Sequence, residues 1–123
     1  MDEVYQQIGE EGLNDLVCAF YKRVKKDDLL SPMYPSADWE GAQGRLADFL
    51  IYRCGGSQKY IEERGHPRLR MRHIPFRIGD TERDRWLKLM GEAMEETGVE
   101  PPASELLKDF FAQTADFMRN SSE

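Results

Sequence analysis

The residue usage predicts an all-α fold. β-Branched aliphatics are scarce, with four valines and five isoleucines in 123 residues, while Leu, Glu, Lys, Arg, Met and Ala dominate. That balance works against sheet and toward helix. Apolar residues also recur at helical steps, in runs bounded by proline and glycine. At this length a single domain over residues 1–123 is expected, large enough to build a core without disulfide or metal staples.

The first helix is read from Leu13, Leu16, Val17, Phe20, Tyr21 and Val24, whose steps of 3, 1, 3, 1, 3 draw one apolar face. Asn14, Asp15, Lys22, Arg23, Lys25 and Lys26 take the other sides. Ser31-Pro32 and Tyr34-Pro35 then break the helix, because a residue before proline is pushed out of the helical region. Asp38 is placed to cap a second helix carrying Ala42, Leu46, Phe49 and Leu50, and Gly55-Gly56 stops it. A short segment around Tyr60 and Ile61 closes at Gly65. Pro67 suits a first helical turn, so Pro67 to His73 reads as about two turns, ended by Ile74-Pro75. Thr81 and Asp84 read as a capping box ahead of Trp86, Leu89, Met90, Ala93 and Met94, with Gly98 as the stop. Pro101-Pro102 lead in a last helix with a stripe of Leu106, Leu107, Phe110, Phe111, Thr114, Phe117 and Met118, and Asn120 to Glu123 are expected to fray.

The charge balance, 17 Lys+Arg against 23 Asp+Glu for a net −6, argues against a nucleic-acid or membrane-surface binder. No apolar run reaches the ~18 residues of a transmembrane helix. Met1-Asp2-Glu3-Val4 lacks the basic and then apolar pattern of a secretion signal. Two cysteines, Cys18 and Cys54, make no disulfide framework. A cytoplasmic protein with reduced thiols is the expectation, with Cys18 a small buried residue beside the first helix's apolar face.

Few residues carry chemistry. There is no C-x2-C, H-E-x-x-H, P-loop or dinucleotide-binding glycine pattern, and no C-x-x-C-H for covalent haem attachment. The two histidines are His66, between Gly65 and Pro67, and His73, four residues after Leu69 on the same helix face. Arg68, Arg70 and Arg72 alternate with Leu69 and Met71. Cationic groups around an apolar spot suit a flat apolar ligand with a carboxylate or phosphate edge, since guanidinium pairs with these in a bidentate way. The same run also reads as a solvated basic patch. Tyr21, Tyr34 and Trp86 come from three segments, and their polar tips each need a partner when buried. Separate backbone carbonyls or one shared ligand would both satisfy them.

These segments follow an order that resembles the group II truncated haemoglobins, small bacterial and plant globins. The order is Phe20-Tyr21, Met33-Tyr34-Pro35, Arg45-Leu46, Phe49-Leu50, Gly55-Gly56, the run Arg64-Gly65-His66-Pro67-Arg68-Leu69-Arg70-Met71-Arg72-His73-Ile74-Pro75-Phe76, and Arg83-Asp84-Arg85-Trp86-Leu87. The similarity runs from about Ile8 to Met94 and is looser in the last helix. Ser57 stands where proline is usual, and Arg53 where an aromatic is common, with Tyr52 one place earlier.

The resemblance implies a two-over-two helical sandwich around non-covalent haem b. His73 matches the proximal iron ligand, Tyr21, Tyr34 and Trp86 the distal polar cluster, and Ala42 the distal position that many other globins fill with histidine. Arg45 and Arg72 would meet the propionates, with Tyr60 beside them. Leu46, Phe49, Leu50, Leu69, Phe76, Ile78 and Met90 would line the pocket. Phenol O–H and indole N–H are donors, so preorganised donors in a dry pocket would slow oxygen release. That favours redox chemistry with oxygen, nitric oxide or peroxide, or ligand sensing, over bulk oxygen transport. A nitric oxide dioxygenase or peroxidase-like cycle would need an external reductase. The alternative from the residues alone is a helical interaction module, using Arg64 to Arg72 to grip a phosphate or acidic partner.

Overall fold

The structure is a computed structural model that describes residues 1–34, 38–65 and 76–120. Among these residues every regular element is helical. Helix α1 spans Asp2–Val24 and buries Val4 and all six residues of the stripe read from Leu13 to Val24. It begins well before Leu13 because two helical runs join across Gly9, at φ 67° and ψ −175°. That conformation is essentially closed to side-chain-bearing residues, so the glycine permits the bend that lets Tyr5 and Ile8 also pack on the core.

Asp27 organises the turn that follows. Its carboxylate accepts from the Leu29 and Leu30 amides, both at 3.0 Å, and pairs with Arg85. A single 3-10 turn, Ser31–Met33, then delivers Tyr34. Helix α2 spans Trp39–Arg53. Asp38 occupies its N-cap position but makes no capping hydrogen bond; its carboxylate sits 3.1 Å from Arg45 instead. Gly55 and Gly56 follow the helix as expected. A Cβ on Gly56 would fall 2.5 Å from the Tyr5 ring and 2.8 Å from the Ile51 side chain, so close approach is what demands glycine there. Helix α3 is Lys59–Arg64, closed by Gly65.

Helix α4 spans Asp80–Glu96 and helix α5 Ala103–Met118. The capping box is displaced from the expected one. Gly79 holds the N-cap position, and the Glu82 carboxylate accepts its amide at 2.7 Å, so Thr81 and Asp84 lie inside the helix. Helices α1 and α2 pack as one pair and α4 and α5 as the other, and α1 also lies against both members of the second pair. This is the two-over-two arrangement, with Phe20, Leu13, Leu16, Leu50, Met90 and Leu107 fully buried at its centre. No helix among the described residues is long and apolar enough to cross a membrane.

Three further expectations are corrected. Cys18 is exposed, since it falls one residue past Val17 on the solvent side of α1, whereas Cys54 is buried. Phe117 is 61% exposed. It lies about two turns beyond the partly buried Phe110, on the outer edge of the α5 stripe, and not on the line from Leu107 to Phe111. Asn120 does not fray: its backbone amide donates to the Ile78 carbonyl at 2.9 Å, and its side chain bonds the same segment.

Candidate functional site

A cavity of about 450 Å³ opens between α2, α4, α5 and the 3-10 turn. That is a normal size for a small-molecule or cofactor site, roughly 300–1,000 Å³. Tyr21, Tyr34, Ala42, Arg45, Leu46, Phe49, Leu50, Tyr60, Phe76, Ile78 and Trp86 all line it. The structure therefore brings eleven of the residues singled out in the sequence to one wall system. Met90 does not join them; it is 1% exposed and packed in the core. Leu69, Arg72 and His73 lie outside the described residues, as do Arg68 and Arg70 of the basic run.

One corner of the cavity is aromatic and polar. Tyr21 is held by the inward face of α1, one residue after the fully buried Phe20, and is itself 4% exposed. Its ring meets Tyr34 edge-on at 5.6 Å. Trp86 enters from the first turns of α4, wedged between Phe20 at 4.9 Å and Phe111 at 5.4 Å. Burial pushes the Tyr21 phenol far above its usual range, and its role as hydrogen-bond donor to Tyr34 adds to the rise. Burial also raises the Tyr34 phenol, while Tyr21 and Trp86, both donors toward its oxygen, pull the other way. The corner thus holds neutral phenols and an indole in contact with one another, a set of hydrogen-bond donors near the Arg45 guanidinium.

The rest of the wall divides by chemistry. Leu46, Phe49, Leu50, Phe110, Phe111 and Met118 give an apolar slot. At its rim stands Arg45, whose side chain is 40% exposed, in its ion pair with Asp38. Tyr60 is buried against Phe49 at 5.5 Å and Tyr52 at 6.4 Å. Arg53 lays its guanidinium over the Phe110 ring at 5.2 Å and so braces the far side of that wall.

Several lining residues escaped the sequence reading. Phe110 and Phe111 were read only as core stripe, and Arg83 only as part of a motif. Trp39 is the clearest omission: it packs 5.4 Å from Tyr34 and 6.3 Å from Tyr21, and so backs the polar corner. Its place at the start of α2, beside the Pro-bracketed Tyr34, was the available signal.

The residues fit a flat macrocycle with two carboxylates. The slot is apolar, Ala42 leaves space where a larger side chain would intrude, a guanidinium waits at the rim, and the polar donors gather at one end. Among the described residues there is no cluster of His, Cys, Asp or Glu able to hold a bare metal ion, and no histidine at all.

Known proteins give the same picture. A family profile described as bacterial-like globin matches residues 3–120. The group 2 truncated haemoglobin YjbI of Bacillus subtilis (strain 168) is 43% identical over 119 residues, covering 97% of this chain and 89% of that one. The group II truncated haemoglobin of Bacillus anthracis superposes with a TM-score of 0.93 at 37% identity, over 98% of this chain and 92% of that one. A truncated oxygen-avid haemoglobin from Bacillus subtilis superposes with a TM-score of 0.90 at 41% identity, over 95% and 98% of the two chains.

Proposed function

This chain belongs to the bacterial-like globin family, a family of haem b proteins that bind small diatomic ligands, and from that premise we propose that His73 is its iron ligand and that Tyr21, Tyr34 and Trp86 grip the diatomic ligand. When bound, haem supplies a ferrous centre that takes up dioxygen and related gases. The chain's own residues do the rest. A neutral imidazole at His73 would serve as the ligand, which is the form iron requires. Leu46, Phe49, Leu50, Phe76 and Ile78 exclude water from the cofactor's faces. Arg45, whose half-exposed ion pair with Asp38 contributes little by itself, would offer its guanidinium to a propionate. Arg72 offers a second guanidinium from the basic run.

The observation that carries this reading is the donor-rich aromatic corner in a largely apolar cavity. More than one fixed donor holds a partly negative ligand more tightly than one does, because the donors need no reorganisation in a dry site. A slow oxygen release follows, in keeping with the oxygen-avid character of the Bacillus subtilis relative. Slow release suits redox chemistry with oxygen, nitric oxide or peroxide, or ligand sensing, better than delivery. Such a cycle draws electrons from an external reductase. The other reading, an interaction module that uses Arg64 to Arg72 on an acidic partner, has no comparable support, since the apolar cavity would then have no purpose.

A visible spectrum tests the core of the proposal. The purified protein should show a Soret band, and His73→Ala should lose it. A colourless protein that cannot be reconstituted with haemin overturns the reading. Stopped-flow mixing of the oxygenated protein with nitric oxide, followed by turnover with a reductase, tests the redox role; no reaction faster than spontaneous oxidation would remove it.

A further inference from the structure

The end of α5 is tied to the short segment between the proximal run and α4. Asn120 makes three hydrogen bonds there: its side-chain amide donates to the Phe76 carbonyl at 2.8 Å, its side-chain oxygen accepts from the Ile78 amide at 2.9 Å, and its backbone amide donates to the Ile78 carbonyl at 2.9 Å. Beside it, Arg119 pairs with Asp80 at 2.7 Å and with Asp116 at 3.2 Å. Arg83, which lines the cavity, pairs with Asp116 at 2.9 Å.

Two properties of this contact point beyond mere closure of the fold. The residues it seizes, Phe76 and Ile78, are themselves cavity walls. They also stand only three and five residues after His73, the proposed iron ligand. Phe76 is 38% exposed, so side-chain burial alone does not fix it. Asn120 hydrogen-bonds the Phe76 carbonyl and both backbone groups of Ile78, and so ties down the backbone at the cavity edge.

We propose that Asn120, with Arg119 beside it, is a positioning clasp that sets how firmly the chain retains its cofactor. The clasp holds the wall formed by Phe76 and Ile78 against the cofactor and limits the opening through which it leaves. The inference rests on the haem reading above. Its two parts differ in kind. The amide part consists of neutral hydrogen bonds between fixed partners and is insensitive to salt. The ionic part is exposed and is screened within a Debye length of about 8 Å at physiological ionic strength.

The test is the rate of haem loss from the holoprotein to an excess of a haem-free acceptor globin. Asn120→Ala removes two neutral hydrogen bonds and should speed haem loss roughly tenfold at any salt concentration. Arg119→Ala should speed it less, with the difference vanishing in high salt. Gln7→Ala is the control, because Gln7 also makes a paired link, donating to the Glu100 carbonyl at 2.8 Å and accepting from the Ala103 amide at 3.0 Å, away from the cavity. It should cost similar thermal stability without changing haem loss. In the haem-free protein, exchange of the Ile78 amide should accelerate in Asn120→Ala and not in Gln7→Ala. If Asn120→Ala loses haem at the wild-type rate, or if Gln7→Ala loses it equally fast, the clasp is overturned while the haem reading stands. A wild-type protein that takes up no haem overturns both. Should Asn120→Ala fail to fold, Asn120→Asp, which keeps the acceptor for the Ile78 amide and loses the donor to Phe76, replaces it under the same criteria.

Discussion

Tyr21 and Trp86 are the residues on which ligand release is proposed to turn. Each presents a single polar tip to an apolar cavity, so replacing either with phenylalanine deletes a donor while preserving most of the packing against Phe20 and Phe111. A hydrogen bond to a charged or partly charged group is worth about 1.5–3 kcal/mol, which corresponds to an oxygen dissociation rate roughly ten- to a hundredfold faster per deletion. Stopped-flow displacement of oxygen by carbon monoxide measures it, and unchanged rates in both variants would remove the distal role proposed for them. The pH dependence follows from the same corner. Burial and contact with Tyr34 raise the Tyr21 phenol, so folding favours its neutral form. That contribution is complete below the free phenol's value of about 10 and is lost as pH rises from there toward the folded value. The oxygen dissociation rate should therefore show no tyrosine-linked break between about pH 6 and about pH 9. The chemistry of this corner was legible in the sequence as three polar aromatics, because residue type alone tells what a phenol or indole can donate. Its backing by Trp39 was not, since packing between rings from separate segments leaves no local periodicity to read.

At the level of elements, the stripe from Leu13 to Val24, the glycine stops and the proline lead-in to α5 were all readable, because each is a local rule acting within one or two turns. What could not be read was set by partners distant along the chain. Asp27 is an example: nothing nearby marks it as more than a surface acid, yet it is 8% exposed and joins α1, the 3-10 turn and α4. Burial opposes its ionisation, but Arg85 and the amides of Leu30 and Leu29 outweigh that and hold the carboxyl below its usual range. The resulting stability is present above the unfolded value of about 3.9 and is lost as pH falls through the lower folded value. Asp27→Ala should cost about 1–3 kcal/mol, because it strips charged hydrogen bonds from the buried Leu30 amide, the half-buried Leu29 amide and one guanidinium. Chemical denaturation at pH 7 and at acidic pH checks both statements: the gap between wild type and variant should narrow in acid. A second element-scale expectation concerns the bend of α1. Gly9→Ala meets no atom within 4 Å, so any loss of stability is conformational. It should amount to about 1–3 kcal/mol, the cost of forcing a side-chain-bearing residue into a glycine-only region. A stability equal to wild type would show that the bend relaxes freely.

For the whole molecule, the −6 net charge conceals a basic run placed next to the proposed iron ligand, and the 123 residues are few for a fold that leaves a cavity of about 450 Å³ between its helix pairs. An empty apolar slot of that size forfeits the dispersion contacts its walls would otherwise make. A cofactor held there would restore them and act as a part of the core that is not encoded as side chains, which is why a core residue such as Met90 reads as a pocket residue and a pocket residue such as Phe110 as core. Binding to the folded state alone stabilises it by about 4 kcal/mol at a free ligand concentration of a thousand times Kd. At the scale of ~3–5 °C per kcal/mol for a domain between the small and medium classes, haem removal should lower Tm by roughly 10–20 °C. Calorimetry of the holoprotein, the haem-extracted protein and the reconstituted protein measures this directly. Reconstitution should restore the transition, and the loss should be smaller in Leu50→Ala, which removes a wall contact and weakens cofactor binding, than in the wild type. Equal Tm for the haem-free and haem-loaded protein would mean that the walls close on themselves, and that the cavity is not the place where the cofactor completes the core.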